Sequence, residues 1–126
     1  MATKRKKTKY SQKELKEFEA IIDDKLMKAQ ENLDYYLAQI QDIANNPDSK
    51  LKGLDDASTQ IQNERLYTMA ARQRKLLQYL GNAKLRIQNG VYGICRETGK
   101  LISKDRLKAV PHATLSITAK QKQLKR

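Results

Sequence analysis

YGICRETGKLISKDRLKAVPHATLSITAK, running from Tyr92 to Lys120, has neither the period nor the composition of the two long segments that precede it. It holds the only cysteine, Cys95, the only histidine, His112, and one of the two prolines, Pro111. Val91–Cys95 and Leu101–Ser103 are spaced to pair as a short β-hairpin around Glu97, Thr98 and Gly99. Ser103–Leu107 suits a helical turn, and Leu115–Leu124 a last helix. That helix carries Lys120 and Lys122, with Lys125 and Arg126 after it, on the end where cations suit the helix dipole. Val91, Ile94, Leu101, Ile102, Leu107, Val110, Leu115 and Ile117 offer a small apolar cluster. Cys95 is expected as a small buried hydrophobe, and His112 as a surface or capping residue.

Before this stretch the pattern is helical. Ser11–Gln12–Lys13–Glu14 has the capping-box form and predicts a helix start. Apolar residues then recur at Leu15, Phe18, Ile22, Ala29, Leu33, Tyr36, Ile40 and Ile43, with Leu26 and Leu37 widening the stripe. Steps of three, four and seven mark one helix face close to a coiled-coil seam. The helix spans about 35 residues, roughly 50 Å. Asn45–Asn46–Pro47–Asp48 stops it, and residues 46–56 read as a turn at the tip of a hairpin. Asp55 or Asp56 is placed to cap a second helix. That helix runs from about Ala57 to Asn89, with a stripe of Leu66, Met69, Leu76, Leu80, Ala83 and Ile87. Gln73 interrupts the stripe, and Ile61, Leu77 and Leu85 broaden it. Gly81 in mid-helix suggests a close helix crossing. Asn89–Gly90 ends the helix, glycine being favoured where the backbone turns left-handed.

The expected fold is mainly α: a long antiparallel helical hairpin (coiled coil) with a small C-terminal finger made of a β-hairpin plus a helix. Residues 1–10 form a basic tail expected to be disordered, 11–90 the hairpin, and 91–126 the finger and last helix. The formal net charge of +12 points to a polyanion or an acidic protein surface as partner. One cysteine excludes an intrachain disulfide. No apolar run is long enough to span a bilayer, and the basic N-terminus lacks the apolar core of a signal peptide, so a cytoplasmic protein is expected. The lone cysteine and histidine have no recognisable third residue to orient them. No Gly-rich phosphate loop is present. A non-enzyme is expected.

The finger stretch resembles the C4 zinc-finger region of the DksA/TraR family of bacterial RNA polymerase regulators. Tyr92–Gly93–Ile94–Cys95 matches the family's YGxC. Gly99 matches its next glycine, and Arg106, Leu107, Ala109, Pro111 and Ala113 fall on its run RLxAxPxA. The four metal cysteines of the family fall, without a gap, on Cys95, Thr98, Ser116 and Ala119. Only Cys95 is a competent ligand, so the finger is degenerate. A structural zinc site needs four thiolate or imidazole ligands, and the expectation is a finger without metal, held by packing. Arg72–Leu76 is similar to the basic segment leading into the family's finger.

The resemblance implies a monomer that inserts its hairpin into the polymerase secondary channel and changes the lifetime of promoter complexes, often with the alarmone ppGpp. The family's tip motif, DxxDxA, falls on Lys52, Asp55 and Ala57. Asp55, Asp56 and Ala57 are therefore the candidate tip that acts at the polymerase active centre, and helix capping explains one of Asp55 and Asp56 equally well. Arg72, Leu76 and Lys120 are candidate alarmone or polymerase contacts, whereas Tyr79 and Val110 stand where the family often has basic residues. The competing reading is a basic helical protein that binds nucleic acid through phosphates without a polymerase role. Direct DNA contact through the basic tail belongs with either reading. A third reading is a paralogue that occupies the polymerase without altering initiation.

Overall fold

The computed structural model describes residues 9–45 and 57–124, and side chains in the second segment from residue 60. Four helices appear in this range: α1 (Gln12–Asn45), α2 (Ala57–Gln88), α3 (Lys104–Ala109) and α4 (Ile117–Leu124). Helix α1 begins with the capping box. The Ser11 N–H donates to Glu14 Oε1 at 3.1 Å, and the Glu14 N–H to Ser11 Oγ at 3.2 Å. Helix α2 ends in a Schellman motif at Gly90, whose φ is +75°. There the Gly90 N–H donates to Ile87 O and the Val91 N–H to Arg86 O.

The chain divides into two compact units. One joins the residues up to Lys25 with those from Tyr79 onward, and the other is Leu26–Gln78. Lys84 Nζ pairs with Asp23 Oδ1 at 2.7 Å in the first, and Ile40 and Ile43 share a groove with Asn63 and Tyr67 in the second. Helices α1 and α2 are the two long arms of a helical hairpin.

The Leu26–Gln78 unit is thinly cored. Ala29, Leu33 and Ala70 are buried, while Leu66, Met69, Leu76 and Leu77 are half-buried. Gln73 sits in this seam with its Oε1 buried and unpartnered. Ile61 is exposed, so it does not broaden the stripe as its spacing suggests.

The other unit holds most of the core. Leu15, Phe18 and Ile22 of α1 and Leu80, Ala83 and Ile87 of α2 are buried, as are Tyr92, Cys95, Ile102, Leu107, Ala113, Leu115 and Ala119. Tyr10, assigned from sequence to the tail, is buried too. Val91, Ile117 and Leu85, expected to be apolar contacts, are exposed. The expected β-hairpin is reduced to one antiparallel bridge, Ile94 to Leu101. Gly93 (φ +81°) and Gly99 (φ +70°), beside it, have left-handed rather than strand backbone. Helix α4 begins at Ile117, two residues later than its apolar pattern suggests, because Ser116 caps it: Ser116 Oγ accepts the Ala119 N–H at 3.2 Å.

Gly81 does not mark a close crossing, since a Cβ there would meet nothing within 4 Å. Gly81→Ala is therefore expected to stabilise the protein by about 0.5–1 kcal/mol, by removing backbone freedom from the unfolded chain. Thermal denaturation followed by circular dichroism checks this.

Candidate functional site

The finger turns at Cys95–Gly99. The Cys95 N–H donates to Lys100 O at 2.7 Å and the Gly99 N–H to Cys95 O at 2.8 Å. Cys95 is fully buried, and its Sγ accepts the Ser116 N–H at 3.4 Å. Burial pushes the thiol pKa up. Hydrogen bonds from the Thr98 hydroxyl and from the N–H groups of Ser116, Thr98 and Glu97 outweigh that and pull it down to about 6. Cys95, Thr98 and Ser116 thus meet at one point, with Ala119 one hydrogen bond away across Ser116. The four positions form a cradle, but its chemistry does not suit zinc. It offers one thiol, two neutral hydroxyls and a methyl, against a requirement for four thiolate or imidazole donors. Among the described residues no three His, Cys, Asp or Glu side chains cluster where a metal could be held. Hydrogen-bond donors stand around the sulfur instead. Cys95 is buried as expected, but it is an acceptor at the centre of a polar turn rather than a plain hydrophobe.

The run RLxAxPxA has a structural meaning. Arg106 Nε donates to Leu115 O at 2.8 Å, and Leu107 is fully buried from α3. Ser103 Oγ caps that helix by accepting the Arg106 N–H. Tyr92 reaches the Pro111 carbonyl with its hydroxyl at 2.8 Å.

Beside the finger lies a cavity of about 440 Å³, lined among others by Tyr79, Arg96, Arg106, Val110, His112 and Lys120. No carboxylate lines it. The His112 ring stacks on Tyr79, with centroids 5.6 Å apart and planes 16° from parallel. Its Nδ1 is buried without a partner, so His112 is not the surface residue that sequence suggests. Burial and then the positive charges of Arg86, Lys120 and Lys25 hold its pKa below the ordinary value, so the ring is neutral at neutral pH. The same charges give the cavity a positive field, suited to an anion.

The structure brings Lys120 to this cavity together with Tyr79 and Val110, the two positions singled out as departures from the family's basic residues. Arg72 is exposed and Leu76 half-buried on α2 in the Leu26–Gln78 unit. Arg96, Arg106 and His112 were missed as cavity residues. They lie in non-periodic sequence, where no spacing rule signals convergence. Of the candidate tip, Ala57 opens α2, while Asp55, Asp56 and Lys52 lie outside the described residues.

Residues 90–123 match the prokaryotic dksA/traR C4-type zinc finger. The chain is 44% identical over 55 residues to the RNA polymerase-binding transcription factor DksA of Caulobacter vibrioides. That alignment covers 44% of this chain and 39% of the relative, so the likeness spans about two fifths of the relative's length. General stress protein 16O of Bacillus subtilis is 39% identical over 46 residues, covering 36% of this chain and 28% of that protein. The fold is similar to the structure of transcription factor DksA2 from Pseudomonas aeruginosa, with a TM-score of 0.77 and 29% identity. That match covers 89% of this chain and 84% of the other. The chain is thus similar to the DksA/TraR proteins at two levels, in the finger over residues 90–123 and in the fold over 89% of its length.

Proposed function

We propose that the protein is a transcription regulator of the bacterial cytoplasm that binds RNA polymerase, inserting its helical hairpin in the secondary channel to modulate promoter complexes. The observation that carries this reading is likeness at two levels. A 55-residue stretch of the chain is 44% identical to a protein named as an RNA polymerase-binding factor, and the fold of a named transcription factor covers 89% of the chain. A hairpin of two helices, 34 and 32 residues long, suits a narrow channel: each extends roughly 50 Å. The protein acts as a monomer and without covalent catalysis. Asp55, Asp56 and Ala57 form the acting tip, biasing polymerase conformations rather than reacting. Among the described residues no helix is long and apolar enough to cross a membrane.

The finger carries no zinc in this reading. What supports this is the donor set around Cys95, where the Thr98 hydroxyl and backbone N–H groups face the sulfur. Treatment with a chelator is expected to leave the melting midpoint and the helical circular-dichroism signal unchanged, and metal analysis to find no stoichiometric zinc. A chelator-induced loss of structure would sink the metal-free finger.

Arg72, Leu76 and Lys120 are proposed as polymerase or alarmone contacts. Tyr79 and Val110 stand where the family often has cations, so the cavity would hold the phosphates of an alarmone through Arg96, Arg106 and Lys120 alone, and a ppGpp response weaker than that of relatives with cations at both positions is expected. The second reading, phosphate-directed nucleic-acid binding, draws on the net charge of +12. Titrating the protein with polymerase core and, separately, with duplex DNA at several salt concentrations separates the two. Saturable polymerase binding that survives moderate salt supports the first. DNA affinity that falls steeply with salt, with no polymerase binding, supports the second.

A further inference from the structure

We propose that Tyr10 is a strap that holds the finger shut, so that the order of the finger depends on a residue lying before the first helix. Tyr10 is buried, and its hydroxyl donates to the Ile102 carbonyl, 92 positions away in the chain. Its ring lies against Gly93, where a Cβ would stand 2.6 and 2.7 Å from two ring carbons. The Ile102 N–H donates to Gly93 O at 2.7 Å, so Tyr10 covers both ends of the contact that closes the finger loop.

The strap is tied to the rest of its unit by an aromatic ladder. Tyr10 meets Phe18 edge-on at 5.3 Å between centroids, and Phe18 stacks on Tyr92 at 5.4 Å. Immediately after it, the capping box fixes the direction in which the chain leaves, and Glu14 also pairs with Lys104 Nζ at 2.7 Å. A sheet ladder would hold the loop by itself, but only one isolated bridge is present within it. Tyr10 closes the loop from outside. Burial, and secondarily Glu14, raise its pKa, keeping the phenol a donor at neutral pH. Whatever displaces residues 9–11 loosens the finger without touching it, which makes this segment a control point.

Amide hydrogen exchange on the full chain tests the strap with Tyr10→Ala and Tyr10→Phe. In Tyr10→Ala the amides of Cys95 and Ile102 are expected to exchange about tenfold faster or more, while those of α1 and α2 within Leu26–Gln78 keep their rates, as local rather than global opening requires. Tyr10→Phe keeps the ring and leaves the Ile102 carbonyl without its donor, so a smaller acceleration is expected at the same amides. Gly93→Ala is expected to cost less in the Tyr10→Ala background than in the parent, because the clash partner is gone. Unchanged finger exchange in both variants, or equal acceleration throughout the chain, would overturn the strap. If Tyr10→Ala does not fold, Tyr10→Phe decides on the same criterion. Zinc analysis of the same samples keeps this separate from the metal-free finger, which can fail while the strap stands.

Discussion

Replacing Gly93 with alanine is expected to lower the melting midpoint by about 10 °C, a loss of about 3 kcal/mol for a chain of this size. Two costs combine. The backbone φ of +81° is one that residues with a Cβ rarely adopt, at on the order of 1–2 kcal/mol. The new Cβ would also sit 2.6 and 2.7 Å from the Tyr10 ring and 3.2 Å from Leu107 Cδ1. Overpacking of this kind typically adds about 1–3 kcal/mol. Tyr10 cannot swing away without breaking its hydrogen bond to Ile102 O. Gly90 and Gly99 provide the comparison. Both have positive φ, but a Cβ on either meets nothing within 4 Å, so alanine there incurs only the backbone cost, about 1 kcal/mol. Equal losses at all three glycines would show that the Tyr10 contact contributes nothing.

Leu107→Ala is expected to be of similar size, about 3 kcal/mol, within the range for emptying a fully buried leucine site. Leu107 is 0% exposed on the short helix α3. It packs beside Gly93 and so beneath the finger loop. The contrast is Val91, grouped with Leu107 by sequence in one apolar cluster but 47% exposed in the structure. Val91→Ala is expected to change stability by no more than about 0.5 kcal/mol. Urea denaturation of the two variants measures both. Comparable losses at Val91 and Leu107 would contradict the burial described here.

The helical hairpin was legible because its signals are local and periodic. Leu15, Phe18 and Ile22 carry the stripe, Ser11 and Glu14 the start, and Gly90 the stop, and each works through neighbours within a turn or two. The finger was legible only as an ordered set of residue types. The sequence order placed Cys95, Thr98, Ser116 and Ala119 in one frame, but not the donors that surround the sulfur. Those are largely backbone N–H groups, which no residue type announces. Tyr10 escaped notice for the opposite reason: it follows a basic run with nothing to bury, and its partners, Gly93 and Ile102, lie far along the chain. The cavity residues Arg96, Arg106 and His112 likewise meet through tertiary turns without periodicity. Ile61 and Leu85 show the converse error. Their spacing fits a wide stripe, but a two-helix hairpin buries only a narrow seam on each helix.

The proposed action at the hairpin tip gives the two helices, 34 and 32 residues long, a role. Its most direct test is open-complex lifetime on purified RNA polymerase from the same organism, comparing the parent with Asp55→Asn/Asp56→Asn, with binding measured on the same samples. Both proteins are expected to bind the polymerase, and only the parent to change the lifetime. Binding by both with no lifetime effect from either would contradict regulation through the tip, and no binding by the parent would contradict the polymerase reading itself.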